Sequence, residues 1–205
     1  MKSLKMMAAI GMVAALSAIA QTNGNGPGPG NGPGPGNGNG PGTGCGNGTC
    51  VPLTVLPATE AEVTWIVWMR EEEKLARDVY RFLYERWKLP VFDRIAASEA
   101  QHFASIGTLI TRYNITDPAA TDVPGEYKDP HFTALYNELT TKGGLSIKDA
   151  LEVGVQIETV DIDDLAKAIP ETAKYDIKRM FNNLTTASFS HLDAFESYLE
   201  IVGLL

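Results

Sequence analysis

Four stretches of the chain repeat their apolar residues every three or four positions, the spacing of a helix with one buried face. The first runs from Glu60 to Lys88 and stops at Pro90; it carries Trp65, Trp68, Leu75, Val79, Phe82 and Leu83 on that face, with Met69 and Ala76 beside it. The second, Val91 to Tyr113, uses Phe92, Ile95, Ile106, Leu109 or Ile110, and Tyr113. The third begins at Ser146, whose side chain with that of Asp149 resembles a capping box. It turns Ile147, Leu151, Gly154, Leu165 and Ile169 inward before Pro170 ends or bends it. The fourth, Tyr175 to Ile201, presents Ile177, Met180 or Phe181, Leu184, Ser188, Phe195, Tyr198 and Val202. Between the second and third lie turn pairs at Asp117-Pro118, Pro124-Gly125 and Asp129-Pro130, a short amphipathic helix near His131 to Thr141, and a stop at Gly143-Gly144. That connection is too long for a tight helical hairpin and suits a crossover between the ends of a bundle. With no strand alternation and no glycine-rich phosphate loop, the pattern predicts an all-α fold. Its form is a four-helix bundle whose long crossover carries a short extra helix.

The apolar faces are interrupted by groups that carry chemistry. Glu99 and His102 stand three residues apart on the second helix and share its apolar face, so both point towards the core. A buried carboxylate beside a buried imidazole costs several kcal/mol unless something pairs with it. Glu-x-x-His facing the inside of a bundle is the ligand arrangement of carboxylate-bridged two-metal sites. On the first helix the run Glu71-Glu72-Glu73 is of the kind that usually forms a solvated surface, yet one of the three must lie at or near the buried stripe. Strict spacing favours Glu72, while Glu73 sits beside Ala76 and Tyr80. On the third helix Glu158 and Asp161 have the spacing to face the centre together, leaving Asp163 and Asp164 outside. His191 of the fourth helix is inward as well, whereas His131, after a proline at the start of the short helix, suits a surface or capping role. Each of the four helices thus offers an inward acidic or imidazole group near mid-length.

Composition adds the setting. The 205 residues hold one domain plus appendages, and the net charge of -8 argues against nucleic acid as a partner. Residues 1–20 read as a signal peptide: Lys2 and Lys5, an apolar run from Met6 to Leu16, and Ala18-Ile19-Ala20 as a cleavage site. Residues 21–54, rich in glycine, proline and asparagine and without a charged side chain, read as a disordered linker. Within them Cys45 and Cys50 suit a local disulfide in an oxidising compartment. Residues 55–205 form the folded domain, expected outside the cytoplasm (periplasmic, cell-surface or secreted), with no integral membrane segment after cleavage.

Glu73-Lys-Leu-Ala76-Arg77-Asp-Val-Tyr80, followed by Ile95-Ala96-x-x-Glu99-x-x-His102, resembles the ferritin-like superfamily, rubrerythrins and ferritins included. The span from Trp65 to Leu199 resembles a prokaryotic domain family of unknown function within that superfamily, through Glu71 to Tyr80, Ala97 to His102 and Ile157-Glu-x-x-Asp161-Ile-Asp. The resemblance implies a ferritin-like bundle of up-down-down-up topology. It moves the first-helix ligand from Glu72 to Glu73 and implies metal ligation by Glu73, Glu99, His102, Glu158 and His191, with Tyr80 as a nearby hydrogen-bond or electron donor. The family pattern wants a glutamate where this chain has Ser188; Asp161 is the residue able to supply the missing oxygen. The implied cofactor is iron or manganese and the implied reaction a di-iron type oxidoreduction with oxygen or peroxide, in a protein that binds metal ions and is compatible with a homo-oligomer. The rival reading is a non-catalytic tethered helical module with a degenerate metal site, with a zinc hydrolase behind it.

Overall fold

The computed structural model describes residues 55–203. The expected signal peptide, the linker and the Cys45–Cys50 bridge lie outside the described residues. Five helices follow in order: α1 (Glu60–Trp87), α2 (Pro90–Arg112), α3 (Pro130–Gly143), α4 (Ile147–Glu171) and α5 (Tyr175–Ile201). Local chemistry sets their ends. Thr59 and Glu62 form a full capping box on α1, Glu62 N donating to Thr59 Oγ1 at 3.2 Å and Thr59 N to Glu62 Oε2 at 2.9 Å. Lys88 closes α1 in the left-handed region, with φ 54°. Pro90 does more than stop α1: it opens α2 at the first turn, where its missing N–H leaves no bond unmade. At α4 only half of the expected box forms, since Ser146 Oγ accepts from Asp149 N at 3.0 Å while Asp149 bonds the serine hydroxyl rather than its backbone.

The end-to-end contacts give the topology. Trp87 at the end of α1 donates to Gly143 O, before the start of α4, at 2.8 Å, and Trp65 and Trp68 near the start of α1 reach Glu171 and Asp164 near the end of α4. Tyr113 after α2 reaches Asp176 at the start of α5. Hence α1 runs up, α2 and α4 down and α5 up, and the chain must return the length of the bundle between α2 and α4. Residues 113–146 make that crossover and carry α3. The apolar core is in two parts: Val79, Leu83, Phe92, Leu151 and Phe195 at one end, and Ile66, Met69, Ile106, Leu165 and Phe181 at the other. Gly154 serves the first part, because a Cβ there would stand 2.6 Å from the Phe195 ring.

Three expectations are corrected. Glu71, Glu72 and Glu73 are all buried, not one of the three, because α1 is covered on its far side by α3 and the crossover as well as by the bundle. Asp164 is buried too, accepting from Trp68 Nε1 at 2.9 Å and Lys167 Nζ at 2.6 Å. Phe82 and Val202, expected on inner faces, are exposed, since Leu83 takes the buried place on α1 and turns Phe82 outward, and Val202 lies just past the end of α5.

Candidate metal centre

Between the two apolar clusters a polar layer crosses the bundle, built from the middle of all four long helices. It contains Glu73 from α1, Ser98, Glu99 and His102 from α2, Glu158 and Asp161 from α4, and Ser188 and His191 from α5. Glu99 lies between the two histidines, its Oε2 2.6 Å from His102 Nδ1 and its Oε1 2.8 Å from His191 Nδ1. Glu73 Oε2 adds a contact of 3.3 Å to His102 Nδ1, and Glu158 Oε2 one of 3.5 Å to His191 Nδ1. Two clusters result, Glu73/Glu99/His102 and Glu99/Glu158/His191, each with donor atoms within 4.8 Å of one another and joined through Glu99.

The surrounding groups orient these donors. The imidazoles stack with centroids 5.6 Å apart, and both turn Nε2 towards Ser98 Oγ, at 3.0 Å from His191 and 3.5 Å from His102. With the far nitrogens drawn to one hydroxyl, both Nδ1 atoms face the carboxylates. Tyr80, wholly buried against Phe92 and Phe195, donates from its hydroxyl to Glu158 Oε1 at 2.6 Å, so that Oε2 is the oxygen turned to His191. Ser188 Oγ donates to Asp161 Oδ2 at 2.5 Å. The hydroxyl at 188 therefore holds Asp161, which belongs to neither three-residue cluster.

The charges are out of balance. Burial, with Glu99 and Asp161 nearby, holds the Glu73 carboxyl well above its ordinary range. Burial pushes Glu158 up to about 7 against the attraction of the His191 imidazole, and Asp161 to about 8 against the bond from Ser188. Burial also opposes ionisation of Glu99, but the hydrogen bond from His102 and the close approach of the His191 imidazole outweigh it and bring this carboxyl down to about 2. His191, which burial alone would lower, is raised to about 10 by Glu158 and Glu99.

Among the described residues, four buried side-chain atoms have no hydrogen-bond partner: Glu73 Oε1, Asp161 Oδ1 and His191 Nδ1 in this layer, and Glu72 Oε2 outside both clusters. Unmade bonds on buried oxygens are costly, and a divalent cation satisfies several at once. Carboxylate oxygen with imidazole nitrogen is a donor set that iron, manganese and zinc accept. The residues present therefore fit a pair of divalent metal ions.

The model of an uncharacterized protein domain, DUF2202, matches residues 62–205. This chain belongs to the DUF2202 family. The DUF2202 domain is similar to the uncharacterized protein MJ0754 of Methanocaldococcus jannaschii, with 46% identity over 147 residues, covering 72% of this chain and 80% of that protein. The crystal structure of hypothetical protein MJ0754 superposes on the DUF2202 domain with a TM-score of 0.72 at 45% identity, covering 74% of this chain and 86% of that one. A DUF305 fragment from Deinococcus radiodurans shares the fold alone, with a TM-score of 0.57 at 16% identity, covering 71% of this chain and 99% of that one.

Of the residues singled out from the sequence, the DUF2202 domain brings Glu73, Glu99, His102, Glu158 and His191 together, sets Tyr80 against Glu158, and leaves Asp161 at the margin with Ser188. Ser98 was not singled out. It stands four residues before His102 and so shares its face, a signal present in the sequence. His131 is exposed and stacks on Trp68, away from the centre. No helix among the described residues is long and apolar enough to cross a membrane.

Proposed function

We propose that this is a ferritin-like protein that holds two iron or manganese ions between its helices and acts on oxygen or peroxide outside the cytoplasm. The observation that supports it most is Glu99, whose two oxygens face two different histidines at 2.6 and 2.8 Å, as a bridging carboxylate requires. Glu73 and His102 would hold one ion and Glu158 and His191 the other, with Asp161 as a further oxygen donor in place of the glutamate absent at 188. Bound iron or manganese would supply redox equivalents and Lewis acidity towards the oxidant. The chain's own part is to orient and exclude. Ser98 holds both imidazoles with Nδ1 inward, the two apolar clusters keep water from the layer, and Tyr80 fixes Glu158 and stands ready to give a proton or an electron at its hydroxyl. Without metal, Glu158 and Asp161 titrate near neutrality and can each hold a proton, which an arriving ion would displace. Placement outside the cytoplasm rests on the leader pattern of residues 1–20 and is checked by the amino-terminal sequence of the protein recovered from its host.

Thermal melts test the metal reading. Adding Fe²⁺ under anaerobic conditions, or Mn²⁺, to chain stripped of metal should raise the midpoint, because an ion at a hundredfold its Kd contributes about 2.7 kcal/mol. Glu99→Gln should abolish most of that rise. An unchanged parental midpoint at metal well above micromolar would leave the second reading, a non-catalytic tethered module, which the serine at 188 favours.

A further inference from the structure

One buried carboxylate has no place in the paired clusters. Glu72 is 5% exposed, and its Oε2 has no partner. Its neighbour Asp164 takes both local donors, Trp68 Nε1 and Lys167 Nζ. Glu72 instead lines a cavity of about 30 Å³ between α1, α3 and α4, walled by Leu75, Leu135, Leu139 and Val160 with Gln156. Val160 is 42% exposed, so the cavity lies one side chain below solvent. Its volume admits one or two water molecules, or an ion that keeps a water. A buried carboxylate beside an apolar cavity, with Asp161 and Asp164 as like-charged neighbours, is an expensive arrangement unless a counter-charge visits it. Asp161 Oδ1 and Glu73 Oε1 are likewise buried and unpartnered, and Asp161 is near enough to disfavour ionisation of both glutamates.

We propose that this cavity is the loading route of the metal centre, in which Glu72 takes a divalent cation from solvent and Asp161 relays it to Glu73. The proposal rests on the metal reading above. It accounts for Glu72, which the two clusters do not use, and for Asp161, which belongs to neither. A cation crossing the apolar wall must shed water, and Glu72 supplies a charged oxygen where that happens. Acidic groups at a narrow low-dielectric opening raise cation on-rates by tenfold or more. Ser188 suits the relay as well: it binds one oxygen of Asp161 and leaves the other unpartnered.

The full chain, stripped of metal, is mixed with Co²⁺ in a stopped-flow instrument, and visible absorbance reports loading while equilibrium dialysis reports stoichiometry. Glu72→Gln should slow loading at least about tenfold while the final spectrum and stoichiometry match the parent. Val160→Trp, which fills the cavity from an exposed position without touching a carboxylate, should slow it similarly. Parental loading rates in both variants would overturn the route and leave the metal centre standing. So would slowing by Val160→Trp alone, because the ion would then pass without the Glu72 carboxylate, and so would loss of bound cobalt at equilibrium in Glu72→Gln, because Glu72 would then be a resident ligand. A parent that binds no Co²⁺ at all would overturn the route and the metal reading together.

Discussion

The middle of α1 is buried on two sides, and the two sides are built on opposite rules. Towards the crossover lie Arg70, Lys74, Arg77 and Asp78, every one of them paired. Arg70 donates to both oxygens of Asp117, at 3.1 and 2.9 Å. Lys74 binds Asp78 at 2.8 Å and Val123 O at 2.6 Å, and Arg77 bridges Asp78 and Asp122. Tyr127 adds a hydrogen bond to Asp78 at 3.2 Å, and Glu71 accepts the backbone N–H groups of Lys128 and Asp129. Towards the bundle centre, Glu73, Glu99, Glu158 and Asp161 have two imidazoles as their close basic partners, and three atoms of this layer, with Glu72 Oε2 beside it, have no hydrogen-bond partner. Both sides bury charge, but only one is closed. A satisfied network ties the crossover to α1 and needs nothing further; a like-charged cluster at mid-bundle is destabilising by itself and keeps its groups near ionisation thresholds. The paired face is structural, and the unpaired face is where a ligand can repay the cost.

Breaking the closed side should have the largest effect. Asp78→Ala leaves Lys74 and Arg77 buried with side-chain exposures of 0% and 4% and strips each of a carboxylate. Removing one member of such a buried group costs about 3–5 kcal/mol, which urea denaturation will read as a lower midpoint in protein with or without metal. A loss below about 1 kcal/mol would mean that this network is no more than a surface ion pair.

The two sides also part company in their pH dependence. Glu158 and Asp161, with ordinary values of 4.5 and 3.8, titrate near 7 and 8 in the folded chain, so folding binds their protons more tightly and is favoured as pH falls through that range. His191 moves from 6.5 to about 10, and its stabilisation, complete below 6.5, is lost as pH rises towards 10. All three act in the same sense, so metal-stripped protein should lose stability from about pH 5 to about pH 8. Glu99, held at about 2, loses its contribution only below 4.5, outside that window. A fall in the thermal midpoint of about 5 °C or more is expected for a domain of this size. Metal-loaded protein should reverse the slope, since protons and ions compete for the same atoms and affinity rises with pH. A rising midpoint in the stripped protein would refute the like-charge account of the centre.

A matched pair of aspartate changes gives the smallest and sharpest contrast. In stripped protein near pH 7, Asp161→Asn should stabilise by about 1 kcal/mol, because it removes a carboxyl that burial and its acidic neighbours hold against ionisation. Asp117→Asn should destabilise by about 1 kcal/mol or less, because Arg70 then loses a partner that is itself 27% exposed. Chemical denaturation of the two variants should therefore give shifts of opposite sign.

Much of this was readable along the chain. Helical periodicity located the four long helices and the crossover, and carboxylates and histidines interrupting otherwise apolar faces pointed to Glu99, His102, Glu158 and His191. The two readings of the first helix, Glu72 by strict spacing and Glu73 by resemblance, both describe buried residues; the structure sets Glu73 against His102 and gives Glu72 a different surrounding. The closed network under the crossover was not foreseen, because Arg70, Lys74, Arg77 and Asp78 look like an ordinary solvated face until Asp117, Asp122, Val123 and Tyr127 arrive from far along the chain.

The sequence by itself determined which residues share a helix face and which faces must be buried, because both follow from a local repeat of 3.6 residues and from the cost of exposing apolar surface. The tertiary structure alone decided what lies opposite each face. It brought His191 of α5 to Ser98 and Glu99 of α2, so that the two oxygens of Glu99 face different histidines, and it covered the second side of α1 with the crossover; those contacts join residues 45 to 93 positions apart, and a local repeat holds no record of partners that distant.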